Sequence, residues 1–222
     1  MIITKEKSLE EIYGMLEPHK KILLLGCDGC FQPPRGLKQA NIMAKLLELK
    51  RKLENRGYVA KTATVLRQCD DDIIVSTIRP ILDNEKFDAI LSLACGVGVQ
   101  TVAEIYEIPI YPAQNTLFMG SKIGNDYLEK CAACGDCLLG YTGGLCPIAN
   151  CAKSLINGPC GGPINGKCEV GNYTKRCAWI EIFKRLSARP GGLELFMKFR
   201  KPVDFRKRTS PRESIEEVIE IE

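Results

Sequence analysis

The sequence predicts an α/β fold, a Rossmann-like parallel sheet followed by a cysteine- and glycine-rich domain. Two observations carry that expectation. Between residues 21 and 112, apolar runs of strand length alternate with stretches of helical spacing, the pattern that favours parallel strands joined by right-handed crossovers. After about residue 115 the composition changes. Residues 116–180 hold eleven glycines and eight of the twelve cysteines, with few apolar runs long enough for a core.

Residues 21–26 (KILLLG) form a short apolar run of strand length. Residues 36–56 make a long helical pattern with Leu46, Leu47, Leu49 and Leu53 near helical spacing, closed by Gly57 as a C-cap. Residues 58–66 (YVAKTATVL) are β-branched and strand-like. Asp70 or Asp71 caps a helix over 72–82, with Ile73, Ile74, Ile78 and Leu82 on its inner face. Residues 89–93 read as a third strand, 97–106 as a helix and 108–111 as a fourth strand. Further on, 174–188 reads as a helix with Trp179, Ile182, Phe183 and Leu186 apolar, stopped by Pro190-Gly191-Gly192. The division expected is an α/β domain over 1–115, a cysteine-rich domain over 116–188 and a C-terminal tail over 189–222.

Cys27 and Cys30 follow the first strand, Cys69 the second and Cys95 the third. In a parallel sheet the loops after the strands line one edge, where open α/β folds place their sites. Four thiolates from three such loops, flanked by Gly26, Gly29, Gly96 and Gly98, suit a [4Fe–4S] cluster, whose sulfurs also attract backbone N–H donors. The plain alternative makes Cys69 and Cys95 small core residues. A nucleotide is disfavoured at this edge, because GCDGC supplies neither a GxGxxG turn nor a P-loop lysine.

The second set begins with Cys131, Cys134 and Cys137, a CxxCxxC run like that of a bacterial ferredoxin, whose fourth ligand comes from elsewhere, often a Cys-Pro. Cys146-Pro147 and Cys151 are the nearest candidates. The division expected assigns Cys151 to the run and leaves Cys146, Cys160, Cys168 and Cys177 for a further site, a third cluster or a zinc ion. With so little apolar surface, this domain is expected to be cross-linked by metal. Gly161-Gly162 clears space beside Cys160, in a stretch that also reads as a chain of tight turns.

Residues 1–16 (MIITKEKSLEEIYGML) carry charges throughout, unlike a secretory signal, and no run of about 18 apolar residues is present to span a membrane. A cytoplasmic setting is therefore expected, where dense cysteine points to metal rather than disulfides. The net charge of +4 is mild. The basic stretch 198–208, followed by the acidic IEEVIEIE, has only Phe199 and Phe205 to stack on bases, so nucleic acid is not expected. The lone histidine, His19, precedes the first strand among charges and reads as solvated.

The segments CAACGDCLLGYTGGLCPIANCAKSLINGPCGG and NGKCEV, then a Cys-Ala-Trp helix, resemble the methylenetetrahydrofolate reductase C-terminal family, and the upstream GCDGC and SLACGVGVQ look like the rest of the same proteins. The similarity covers about residues 20–187. It implies a MetV-like small iron–sulfur subunit that passes electrons to a separate flavin-bearing catalytic subunit, for reduction of methylenetetrahydrofolate to methyltetrahydrofolate in the Wood–Ljungdahl pathway of one-carbon metabolism. It also implies an electron donor, a ferredoxin or a larger redox complex. The chain is too short for the roughly 250-residue barrel typical of such a flavin enzyme, so the flavin is expected only on the partner. The competing expectation is a zinc-stabilised adaptor without a redox role. Leu193, Leu195, Phe196 and Phe199 in the tail are the expected docking element for the partner.

Overall fold

The computed structural model describes residues 1–203 and Arg212, with the backbone alone at Phe31 and Gln32. Most of the expected docking tail, including Phe205 and the acidic end, lies outside the described residues. The chain forms two compact units, Met1–Gly120 and Ser121–Glu222.

The first unit opens with β1 (Ile2–Glu6) and α1 (Leu9–Leu16), neither foreseen from the sequence. There follow β2 (Lys21–Cys27), β3 (Phe31–Gln32), α2 (Leu37–Leu53), β4 (Val59–Val65), α3 (Asp71–Asn84), β5 (Ala89–Ser92), α4 (Gly96–Ile105), β6 (Ile110–Pro112) and β7 (Gln114–Ile123). The main sheet has the order β4-β2-β5-β6 and is parallel throughout, as the alternating pattern predicts. The chain steps from β2 outward to β4, then crosses back to β5 and β6, so its direction reverses between β2 and β5. That reversal is the position where open α/β sheets leave a crevice.

Strand alternation divides the core into two layers. Ile22 and Leu24 of β2, with Ala89 and Leu91 of β5, pack against α1 and α2 on one face. Leu23, Leu25, Val65 and Ile90 pack against Ile74 and Ile78 of α3 and Val102 of α4 on the other. Helix α3 begins as expected: Asp70 is its N-cap and accepts the Ile73 N–H at 3.3 Å.

Helix α2 departs from the leucine reading. Its buried row is Ala40, Met43, Leu47 and Arg51, whereas Leu46, Leu49 and Leu53 face solvent. Arg51 has a partner set that spacing of apolar residues does not reveal. Its guanidinium donates to the carbonyls of Leu16, Glu17 and His19 (2.6, 3.1 and 3.1 Å), closing the last turn of α1. The helix also stops early: Glu54 is the C-cap and Asn55, not Gly57, has the positive φ of 52°. His19 is half-buried rather than solvated, its Nε2 2.9 Å from the Tyr111 hydroxyl.

In the second unit, β8 (Asp126–Cys131) leads into the CxxCxxC loop, α5 (Pro147–Asn150) follows, and α6 (Ala178–Ser187) and α7 (Gly192–Met197) close the described chain. Its core gathers round Trp179, with Cys177, Ile182 and Leu186 buried and Leu195 and Phe196 packed on them. The Trp179 Nε1–H donates to the Leu155 carbonyl at 2.9 Å, and the Arg200 guanidinium lies 4.9 Å over the ring. Gly192 must be glycine, because a Cβ there would stand 1.9 Å from the Leu186 carbonyl oxygen. Of the expected docking residues, Leu195 and Phe196 are therefore used inside this unit, while Leu193 and Phe199 stay exposed.

The reading of α2 has a direct test by chemical denaturation. Leu47→Ala should cost about 2–4 kcal/mol by opening a cavity in the first layer, whereas Leu49→Ala should stay within about 0.5 kcal/mol of the parent. Equal losses would show that the helix is rotated from the orientation described.

Candidate metal centre

The cysteine edge is assembled by the sheet. Cys27 ends β2, Cys69 lies in the loop after β4, and Cys95 is the N-cap of α4 after β5. Cys27 and Cys95 thus flank the crevice between β2 and β5. Cys30 is held from outside that sheet: its carbonyl accepts the Ile2 N–H at 3.2 Å, and β1 pairs in parallel with β3 immediately beyond it.

One residue absent from the sequence reading fixes this edge. Gln68 is fully buried; its Nε2 donates to the carbonyls of Leu25 (3.1 Å) and Gly26 (2.8 Å), and its Oε1 accepts from Ser92 Oγ (2.7 Å). Ser92 Oγ in turn accepts the Ala94 N–H at 3.3 Å. A single amide therefore ties the end of β2, the loop carrying Cys69 and the turn leading to Cys95. Glycine at 98 leaves room for it, since a Cβ there would lie 2.8 Å from the Gln68 Cβ. Gly26 and Gly36 allow a second close approach, a Cβ on Gly26 falling 2.6 Å from the Gly36 carbonyl carbon. The Gly96 N–H, in the first turn of α4, donates to Thr116 Oγ1 at 2.8 Å.

Cys95 and Cys69 act electrostatically on Cys27, and Cys95 and Cys30 on Cys69. Burial is the main cause that pushes the Cys27 thiol above its ordinary range, against the backbone N–H groups of Gln68 and Gly29. Burial likewise raises Cys69, with the neighbouring cysteines adding to it. Among the described residues, no three His, Cys, Asp or Glu side chains are drawn together as a ready ion site. The donor chemistry nevertheless suits a thiophilic group. The nearby carboxylates are engaged elsewhere, Asp28 with Thr64 Oγ1 at 2.7 Å and Asp70 at its helix cap, leaving thiols as the available donors.

In the second unit, a cavity of about 210 Å³ is bounded by Cys131, Cys134, Cys137 and Cys146. The loop turns through Ala133 and Gly135 at positive φ (49° and 75°), and the Ala133 N–H points to Cys131 Sγ at 3.4 Å. Cys146, N-cap of α5 before Pro147, is the residue brought to this cavity; Cys151 packs instead with Cys177 about Trp179. Cys160 Sγ lies 3.8 Å from Lys153 Nζ and 3.9 Å from Glu169 Oε1, two groups that also pair with each other. That hydrogen bond to Glu169 is the main cause raising the Lys153 pKa. Cys168 is placed by its N–H on the Lys175 carbonyl at 2.9 Å.

Residues 111–206 match the family described as "Methylene-tetrahydrofolate reductase C terminal". The match takes in all eight cysteines of the second set and supports a relation to the methylenetetrahydrofolate reductases. No curated protein and no solved structure matches the chain. No helix among the described residues is long and apolar enough to cross a membrane.

Gln68→Leu keeps the volume of the side chain and removes its three hydrogen bonds. It should destabilise the first unit by about 1–3 kcal/mol, because the Gly26 carbonyl and the Ser92 hydroxyl lose the Gln68 amide, as does the Leu25 carbonyl, which keeps only the Leu93 N–H at 2.9 Å. In metal-free, reduced protein it should also speed alkylation of the buried Cys27. Unchanged denaturation and labelling would remove Gln68 from its organising role.

Proposed function

We propose that this chain is the MetV-like iron–sulfur subunit of a methylenetetrahydrofolate reductase, relaying electrons to a flavin on a separate catalytic chain. The observation that carries the reading is the placement of Cys27, Cys69 and Cys95 on the carboxyl edge of the parallel sheet, with Cys30 beside them. The family match over 111–206 gives the reductase context. A [4Fe–4S] cluster, when bound, supplies one-electron transfer.

In this reading Cys27, Cys30, Cys69 and Cys95 hold one cluster, and Gln68 keeps their loops in register. Cys131, Cys134, Cys137 and Cys146, the residues around the second cavity, hold another. Cys151, Cys160, Cys168 and Cys177 remain for zinc or a third cluster. The chain's own groups bind and orient; no side chain among the described residues supplies hydride to a folate, and the main sheet of the first unit is an open four-stranded one rather than a barrel. The flavin therefore belongs to the partner, and electrons enter from a ferredoxin or a larger redox complex.

Purification under strict anaerobiosis, followed by visible spectroscopy, tests the reading. Broad absorption that bleaches with dithionite is expected. A colourless protein that contains zinc alone would replace the relay with a structural adaptor.

A further inference from the structure

Helix α2 carries one apolar row more than its own unit buries. Ala40, Met43 and Leu47 meet the core. Ile42, Leu46, Leu49 and Leu53 form a second row, about 130° round the helix from the first at about 100° per residue. They are 50%, 40%, 59% and 86% exposed. Their spacing of four, three and four residues is that of a seam between two helices. Scattered surface leucines need no explanation, but a contiguous apolar row marks a contact surface.

Lys38, Lys45 and Lys52 recur every seventh residue along the border of this row that faces away from the core. Lys52 pairs with Glu48 at 2.6 Å, while Lys38 and Lys45 have no ion pair among the described residues. This border argues against a second copy as occupant. Two copies pairing through the row would set lysine against lysine in either orientation, including Lys45 against Lys50 when parallel. Carboxylates bordering a partner helix would complement it instead.

The position of the row is also informative. The N-terminus of α2 packs against the end of β2, where Gly36 meets Gly26 next to Cys27. The row begins at Ile42, about 8 Å further along the helix, and runs on away from the cysteine edge for about 16 Å, at 1.5 Å per residue. Leu66 and Val97, in the loop after β4 and the first turn of α4 at that edge, are also 60% and 56% exposed. A chain seated on the row would bring only its near end toward the cysteine edge.

We propose that the Ile42–Leu53 row of α2 seats an apolar helix bordered by carboxylates on the flavin-bearing chain, an inference that rests on the relay reading above. Leu46→Glu/Leu49→Glu and Lys38→Glu/Lys45→Glu change exposed positions and should leave circular dichroism, iron content and visible spectrum unchanged. Binding of the co-expressed flavin chain to immobilised full-length protein should weaken about tenfold or more with the leucine pair. The lysine pair should weaken binding mainly at low salt. Wild-type affinity in the leucine variant would overturn the docking site and leave the relay standing. A wild-type dimer in light scattering that the leucine variant dissolves, with flavin-chain affinity unchanged, would overturn it in favour of self-association. Failure of the wild type itself to bind the flavin chain would bring down the relay reading and this inference together.

Discussion

The side-chain amide of Gln68 has the most consequences per atom in the first unit. A parallel sheet sends its strand-end loops to one edge, but the loops are separate in sequence, and the backbone bonds that reach them, the Asp28 N–H on the Val65 carbonyl and the Leu93 N–H on the Leu25 carbonyl, set their mutual spacing only where they leave the strands. Gln68 reinforces that spacing by donating to two consecutive carbonyls at the end of β2 and accepting from Ser92 at the end of β5. Buried in full, it forms hydrogen bonds whose loss would strand polar groups away from water. The cysteines beside these anchors inherit their positions from it.

Much of the α/β unit was legible because the signals are local. The apolar run at residues 21–26, the β-branched stretch at 58–66 and the Asp70 cap each report their own element. The placement of Cys27, Cys69 and Cys95 after successive strands follows from that alternation alone. What spacing could not reveal was tertiary. Leu46, Leu49 and Leu53 obey helical periodicity as well as Leu47 does, yet the buried row is the one that ends in Arg51, whose carbonyl partners Leu16, Glu17 and His19, at and just after the end of α1, are more than thirty residues away. Strand β1 was missed because MIITKEKS is charged, and its pairing with β3 and β7 is set by segments remote in sequence.

In the second unit the cysteine count and the CxxCxxC run pointed to sulfur chemistry, but spacing offered both Cys146 and Cys151 as the fourth member, and the expected division took Cys151. The fold separates them by a short helix. Pro147 starts α5 and leaves Cys146 at its cap facing the cavity, while four residues of helix carry Cys151 toward Trp179. The Trp179 core also explains why part of the C-terminal tail is not a free docking element: Leu195 and Phe196 complete a core too small to do without them.

The central claim is that Cys27, Cys30, Cys69 and Cys95 together hold one iron–sulfur cluster, and the most direct measurement of it is iron content with electron paramagnetic resonance on dithionite-reduced full-length protein. Wild type and Cys95→Ala should be compared after anaerobic preparation, with circular dichroism to establish that both are folded. The account predicts that the variant loses about four iron atoms per chain and one set of cluster signals, with the remaining signals unchanged. Identical iron content and identical spectra in the two proteins would contradict it and leave Cys95 as a small core residue at the start of α4.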